Sequence, residues 1–188
     1  MPQDLIKLVL DPGVTRHEFR RLASVLGWTV RGFGKDLPDE PFEEAWGTRG
    51  QRHEVHFVED PFVGLSYLLL DSADREPVLD EVKDRLHVWS VEETIGSLRD
   101  APSPQLRAER VRILALCAPS DQEEASVAAF GSAAQDPSEE VRESVVFAGA
   151  YLPGWSALRE ILGRMAASDA SPAIRADAQA MLETLDTP

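Results

Sequence analysis

The sequence predicts a predominantly helical chain: a small α+β unit over residues 1–89, then an all-α array of three helix hairpins over 90–188. Three observations carry that expectation. In the second half a capping residue, a proline and an aliphatic–arginine pair recur, with the arginines at 107, 142 and 175, spacings of 35 and 33. Apolar residues after each copy recur with helical periodicity, once per turn along one face. The first half instead contains two alternating, β-rich runs, 53–59 and 65–71, separated by a Pro/Gly turn.

Taken in order, Leu5–Leu10 is an apolar run too short to distinguish strand from short helix, and Asp11-Pro12-Gly13 breaks it. Thr15-Arg16-His17-Glu18 has capping-box spacing and opens a helix with Phe19, Leu22, Ala23 and Leu26 on one face. Trp28–Phe33 has strand character. Residues 34–52 are polar and rich in Gly and Pro; the expectation is a loop with one helical turn near Phe42–Trp46. His53–Glu59 and Leu65–Asp71 read as an antiparallel hairpin joined by Asp60–Gly64. A helix from Arg75 to Val88, with Leu79, Val82 and Leu86 on one face, closes the unit. A ferredoxin-like arrangement is compatible with these elements; the strand order is not readable.

The hairpins follow, over about 90–118, 119–152 and 153–186. Their second helices open at Ser103-Pro104, Asp136-Pro137 and Ser171-Pro172. A Ser or Asp cap accepts a hydrogen bond from a free first-turn N–H, and proline suits the first helical position because its missing N–H costs nothing there. The apolar faces run through Leu106, Val111, Ile113, Leu114 and Cys117, then Val141, Val145, Ala148 and Leu152, then Ile174, Ala178, Met181, Leu182 and Leu185. The first helices open at Ser90-Val91-Glu92-Glu93, at Ser120-Asp121-Gln122-Glu123 and near Gly154-Trp155.

This pattern resembles HEAT repeats over roughly residues 90–186, and Asp136-Pro137-Ser138-Glu139-Glu140-Val141-Arg142 is its nearest match. The order of a small α+β unit and a few hairpins is similar to bacterial HEAT-repeat proteins. The resemblance implies a helical solenoid with a structural ladder between neighbouring repeats, here over Asp100 and Arg107, Asp136 and Arg142, Asp169 and Arg175. No site motif comes with it, since such solenoids host many roles.

Composition narrows the partners. The net charge is −14, and both halves are acidic, with 11 basic and 17 acidic residues before Ser90 and 8 basic and 16 acidic after it. A phosphate backbone or an anionic membrane surface would be repelled, and Arg20-Arg21 is the longest basic run, so nucleic acid and membrane are disfavoured while a basic protein partner fits. The single cysteine, Cys117, forms no internal disulfide and lies in an apolar helical run, which reads as a structural thiol. No secretory signal and no run long enough to span a bilayer is found, so the expected location is the cytoplasm.

Chemistry is hard to find. No phosphate loop or nucleophile elbow is present. In the cluster His53, Glu54, His56, Glu59 and Asp60, strand alternation sends His53 and His56 to opposite faces, which argues against a metal site. No cofactor is implied and no catalytic residue is named. Aromatic residues are more informative. Phe147, Tyr151 and Trp155 stand at or after the second helix of the middle hairpin, where the other copies carry Arg112 and Leu116, or Ala180 and Thr184. An exposed aromatic group there would suit a protein-binding hot spot. The expected function is therefore a non-catalytic protein–protein interaction or scaffold module, for example an inhibitor, immunity or regulatory protein. The alternative is an enzyme or small-ligand binder with a pocket between the α+β unit and the repeats, lined by His56, Glu54, Tyr67 or Asp71.

Overall fold

A five-stranded antiparallel sheet opens the chain and six helices packed in pairs close it; 55% of the chain is helical. The computed structural model describes residues 5–34, 37, 40–50, 52–119 and 121–187. The chain divides into two units, Met1–Trp89 and Ser90–Pro188.

The first unit runs β1 (Leu5–Val9), α1 (Arg16–Leu26), β2 (Thr29–Phe33), β3 (Phe42–Gly47), β4 (Glu54–Asp60), β5 (Leu65–Asp71) and α2 (Arg75–Val82). Strand order is β1-β5-β4-β3-β2, so β2 to β5 form a meander and β1 pairs with β5 at the far edge. A ferredoxin-like order, with a helix crossing between strands of the second half, is not what forms. The Leu5–Leu10 run is a strand because β5 offers it a partner along its whole length.

The helical turn expected near Phe42–Trp46 is instead β3. Phe42, Glu44 and Trp46 alternate inward and all three are buried. Glu44 disguised the period-two pattern, since a carboxylate reads as a solvent position. Here the Arg20 guanidinium from α1 meets it. The helix expected to reach Val88 stops at Val82, because the following segment pairs with β1 instead: Leu10 and Val88 form a bridge, and Trp89 N–H donates to Val9 O at 2.9 Å.

α1 sits against the sheet by a full capping box at Thr15 and Glu18 and ends on left-handed Gly27. Its Phe19 stacks on Phe57 with ring centroids 4.4 Å apart and meets Trp28 and Trp46 edge-on. That aromatic cluster, with Leu8, Leu68 and Val78, is the core of the first unit.

The second unit contains α3 (Val91–Asp100), α4 (Pro104–Cys117), α5 (Glu124–Ala133), α6 (Glu139–Tyr151), α7 (Ser156–Ser168) and α8 (Pro172–Asp186). Ser103 and Ser171 cap α4 and α8 and are followed by proline, and Ser90 caps α3. Two starts differ from expectation. The cap expected at Ser120 lies outside the described residues, and α5 begins only at Glu124, after Gln122 takes a left-handed φ of 56°. Helix α6 begins at Glu139 with Ser138 as its cap, not at Asp136-Pro137. Ser138 thus stands four residues before its arginine, as Ser103 and Ser171 do, and Asp136 falls two residues earlier in the turn.

One side chain from the turn before α5 ties the middle pair to the last. Gln122 Oε1 accepts from Ala157 N–H at 3.0 Å and from Ser156 Oγ at 3.1 Å, satisfying a free N–H at the start of α7. No helix among the described residues is long and apolar enough to cross a membrane.

Candidate interaction surface

The turns between paired helices carry a chain of arginines and aspartates. Arg107 donates from Nε and Nη2 to the two Asp136 oxygens, at 2.7 and 3.0 Å. Arg142 does the same to Asp169, at 2.8 and 3.0 Å, while its Nη1 donates to Asp136 O at 2.9 Å. Arg175 Nη1 donates to Asp169 O at 2.5 Å. Each aspartate also accepts the N–H of its own cap, Ser138 or Ser171. The ladder therefore has a direction: an arginine reaches forward to the aspartate of the next pair.

Asp100 takes no part. It is exposed and has no hydrogen-bond or ion-pair partner among the described residues. The equivalent of Asp136 and Asp169, two residues before the cap, is Ala101 in the first pair. Asp100 stands one residue out of register, and the arginine before it, Arg99, is its own neighbour on α3 rather than a member of a preceding pair.

These charges satisfy one another rather than a ligand. The Arg107 hydrogen bonds hold the Asp136 carboxyl below the usual carboxylate range. Burial alone would raise Asp169, and the bonds from Arg142 and Ser171 with the charges of Arg142 and Arg175 more than offset it, so it too is lowered. The pairs rim two shallow grooves on the side of the first helices. One, of about 490 Å³, has Leu98 and Ala129 beside Arg107 and Asp136; the other, of about 530 Å³, has Ile161 and Met165 beside Arg142 and Asp169.

The three aromatic residues separate. Trp155 is core: it is 1% exposed, its Nε1–H donates to Pro119 O at 3.1 Å, and it meets Phe130 edge-on at 6.0 Å. Its place just after a Pro-Gly turn reads as surface, but the turn folds the indole inward, where it joins the start of α7 to the loop before α5. It is removed from any contact surface. Tyr151 is half-buried against the same core. Phe147 is 39% exposed.

No family model, curated protein or solved structure matches this chain.

Phe147 stands out because of the helix that carries it. Val141, Ser144, Val145, Val146, Ala148 and Gly149 bury most of the circumference of α6. One strip stays open, Glu139, Glu143, Phe147 and Ala150. At the same helical positions α8 exposes Ala176, Ala180 and Glu183. A large aromatic ring thus stands in register with Ala180 on α8 and with Arg112 on α4. Gly149, which the sequence reading passed over, sets the spacing of these two helices: a Cβ there would lie 2.7 Å from Met181 Cγ.

Cys117 is held as the protonated thiol. Burial pushes its thiol up to about 12, against a weaker opposing bond with Thr94. On the sheet of the first unit, His56 Nδ1 lies 2.5 Å from Glu43 and its Nε2 3.2 Å from Glu54, while His53 Nδ1 lies 2.6 Å from Asp74. The two histidines join separate carboxylates rather than one donor set.

Proposed function

We propose that the chain is a non-catalytic interaction module, a short HEAT-type solenoid behind an α+β unit, that binds a basic protein partner across the open strip of α6 with Phe147 at its centre. The observation that supports this is Phe147 itself: a large apolar side chain left 39% exposed on a helix whose other large apolar residues, Val141, Val145 and Val146, are buried. Aromatic anchors ringed by small, near-neutral contacts are the usual shape of a binding hot spot. The net charge of −8 over the residues after Ser90, with Glu143 one turn before Phe147 on α6, favours a basic partner and speeds its encounter. The ladder residues fit a structural role in this reading, since each is consumed by a neighbour.

The test uses the full chain as bait in an extract of the source organism, with Phe147→Ala as the paired bait. The expected result is a basic protein retained by the wild-type chain, released by salt, and bound at least about tenfold more weakly by the variant. Equal recovery on both baits removes Phe147 from the interface.

A further inference from the structure

We propose that Met181 is a site of oxidation by peroxides, and that its sulfoxide frees the second half of α8 from α6. Among the described residues sulfur occurs at Cys117, Met165 and Met181. Burial holds Cys117 as the thiol, which reacts far more slowly than a thiolate. Met165 is 4% exposed and belongs to the core of the second unit. Met181 is half-buried at the edge of that core. Oxidation follows exposure, so Met181 is the sulfur of these three that a small oxidant in solution meets first.

The surroundings of the thioether set the consequence. Gly149 leaves a notch on α6 and Met181 fills it. A methyl group on Gly149 would lie 2.7 Å from Met181 Cγ, 3.1 Å from its Sδ and 3.1 Å from Leu162 Cδ1. A contact that has no room for a methyl has none for an oxygen on that side of the sulfur. A sulfoxide is also polar, and the notch is lined by glycine and leucine. The oxidised side chain therefore has to leave it.

Little else holds this part of α8. Its fully buried residues, Ile174 and Ala178, both precede Met181. Beyond it stand the half-buried Leu182 and Leu185, the bond from Arg159 Nη1 to Leu185 O at 3.1 Å, and the contact of Arg159 with Asp186.

The reaction is a two-electron oxygen transfer. The thioether sulfur attacks one oxygen of the peroxide, an S–O bond forms as the O–O bond breaks, and the leaving hydroxide takes the proton of the transferred oxygen. Sulfur is oxidised, and hydrogen peroxide is reduced to water. Oxidation is read on the free chain, so this site stands or falls apart from any contact made by Phe147.

The test treats the full chain with hydrogen peroxide at neutral pH, with Met181→Leu in parallel, and reads peptide mapping, native hydrogen exchange and a thermal melt. The expected result is oxygen on Met181 before Met165, faster exchange over residues 179–186, and a melting temperature lower by about 5 °C or more. Met181→Leu keeps the volume and lacks the sulfur, so it should melt near the wild type and be unmoved by peroxide. If the leucine variant melts lower by itself, the exchange of oxidised against untreated wild type still decides. Oxidation of Met165 ahead of Met181 overturns the proposal. So does a sulfoxide at Met181 that leaves exchange and melt unchanged, or an equal peroxide loss in the leucine variant.

Discussion

Replacing Arg142 with alanine should be among the most damaging single changes in the second unit. The side chains of Arg142 and Asp169 are only 11% and 4% exposed. The substitution removes both bonds to Asp169 and the bonds from Nη1 to Asp136 O and Pro137 O. Asp169 keeps only the Ser171 N–H, so a carboxylate stays buried with most of its partners gone. Breaking a buried pair from one side costs about 3–5 kcal/mol. Some solvent reaches the guanidinium, so the lower part of that range applies, about 3 kcal/mol.

Urea unfolding monitored by circular dichroism measures it, with Asp169→Ala and the double variant completing the cycle. The double variant should recover about 1–3 kcal/mol relative to the sum of the singles, because neither charge is then stranded. The acid limb offers a second check. Asp136 and Asp169 are both lowered in the fold, so their contribution is whole above the ordinary carboxylate range and is lost as pH falls through the lowered values. The gap between wild type and Arg142→Ala should therefore narrow below about pH 4. Additive single effects, or a loss under about 1 kcal/mol, would show that the ladder is decoration rather than support.

Two further outcomes follow from packing. Gly149→Ala places a methyl 2.7 Å from Met181 Cγ and 3.1 Å from Leu162 Cδ1, and should destabilise by about 1–2 kcal/mol in a thermal or urea melt. Met181→Ala in the same chain should recover part of that loss, since the flexible thioether is the nearer obstacle. Cys117, its thiol pushed up to about 12, should react with a disulfide reagent at pH 8 far more slowly than a free thiol and at the free rate once denatured; fast labelling of the native chain would contradict the burial of its sulfur.

How much of this was legible in the sequence depended on whether a feature repeats locally. The paired helices were legible because an aliphatic–arginine pair recurs at 107, 142 and 175 after a cap and a proline, and the apolar face follows at helical spacing. Asp136-Pro137 imitated a cap, and only the helix start at Glu139 shows that Asp136 belongs to the ladder. β3 was not legible, because its inward Glu44 is neutralised by Arg20 from a helix 24 residues away in sequence, a relation that no local window contains. Trp155 misled for the same reason: its partners, Phe130 and Pro119, belong to the preceding pair of helices.

The ladder also indicates where specificity has to reside. Positions that recur in every pair are occupied by one another: the arginine of one turn by the aspartate of the next, each aspartate by its own cap. The first and last members differ only in part, since the Ala101 side chain cannot accept a hydrogen bond, while Arg175 makes with its Nη1 the contact to its own turn that Arg142 makes, to the carbonyls of Asp169 and Ala170. A partner that read the recurring residues would have to break bonds already made. A partner that reads what does not recur meets no such competition. Five residues after the arginine the three pairs carry Arg112, Phe147 and Ala180, three side chains with nothing in common, and only the middle one presents a large apolar surface to solvent. Substituting Arg142 should therefore change stability first and binding only through it, whereas substituting Phe147 should change binding with little effect on the melt. That separation is the property expected of a scaffold and its contact surface.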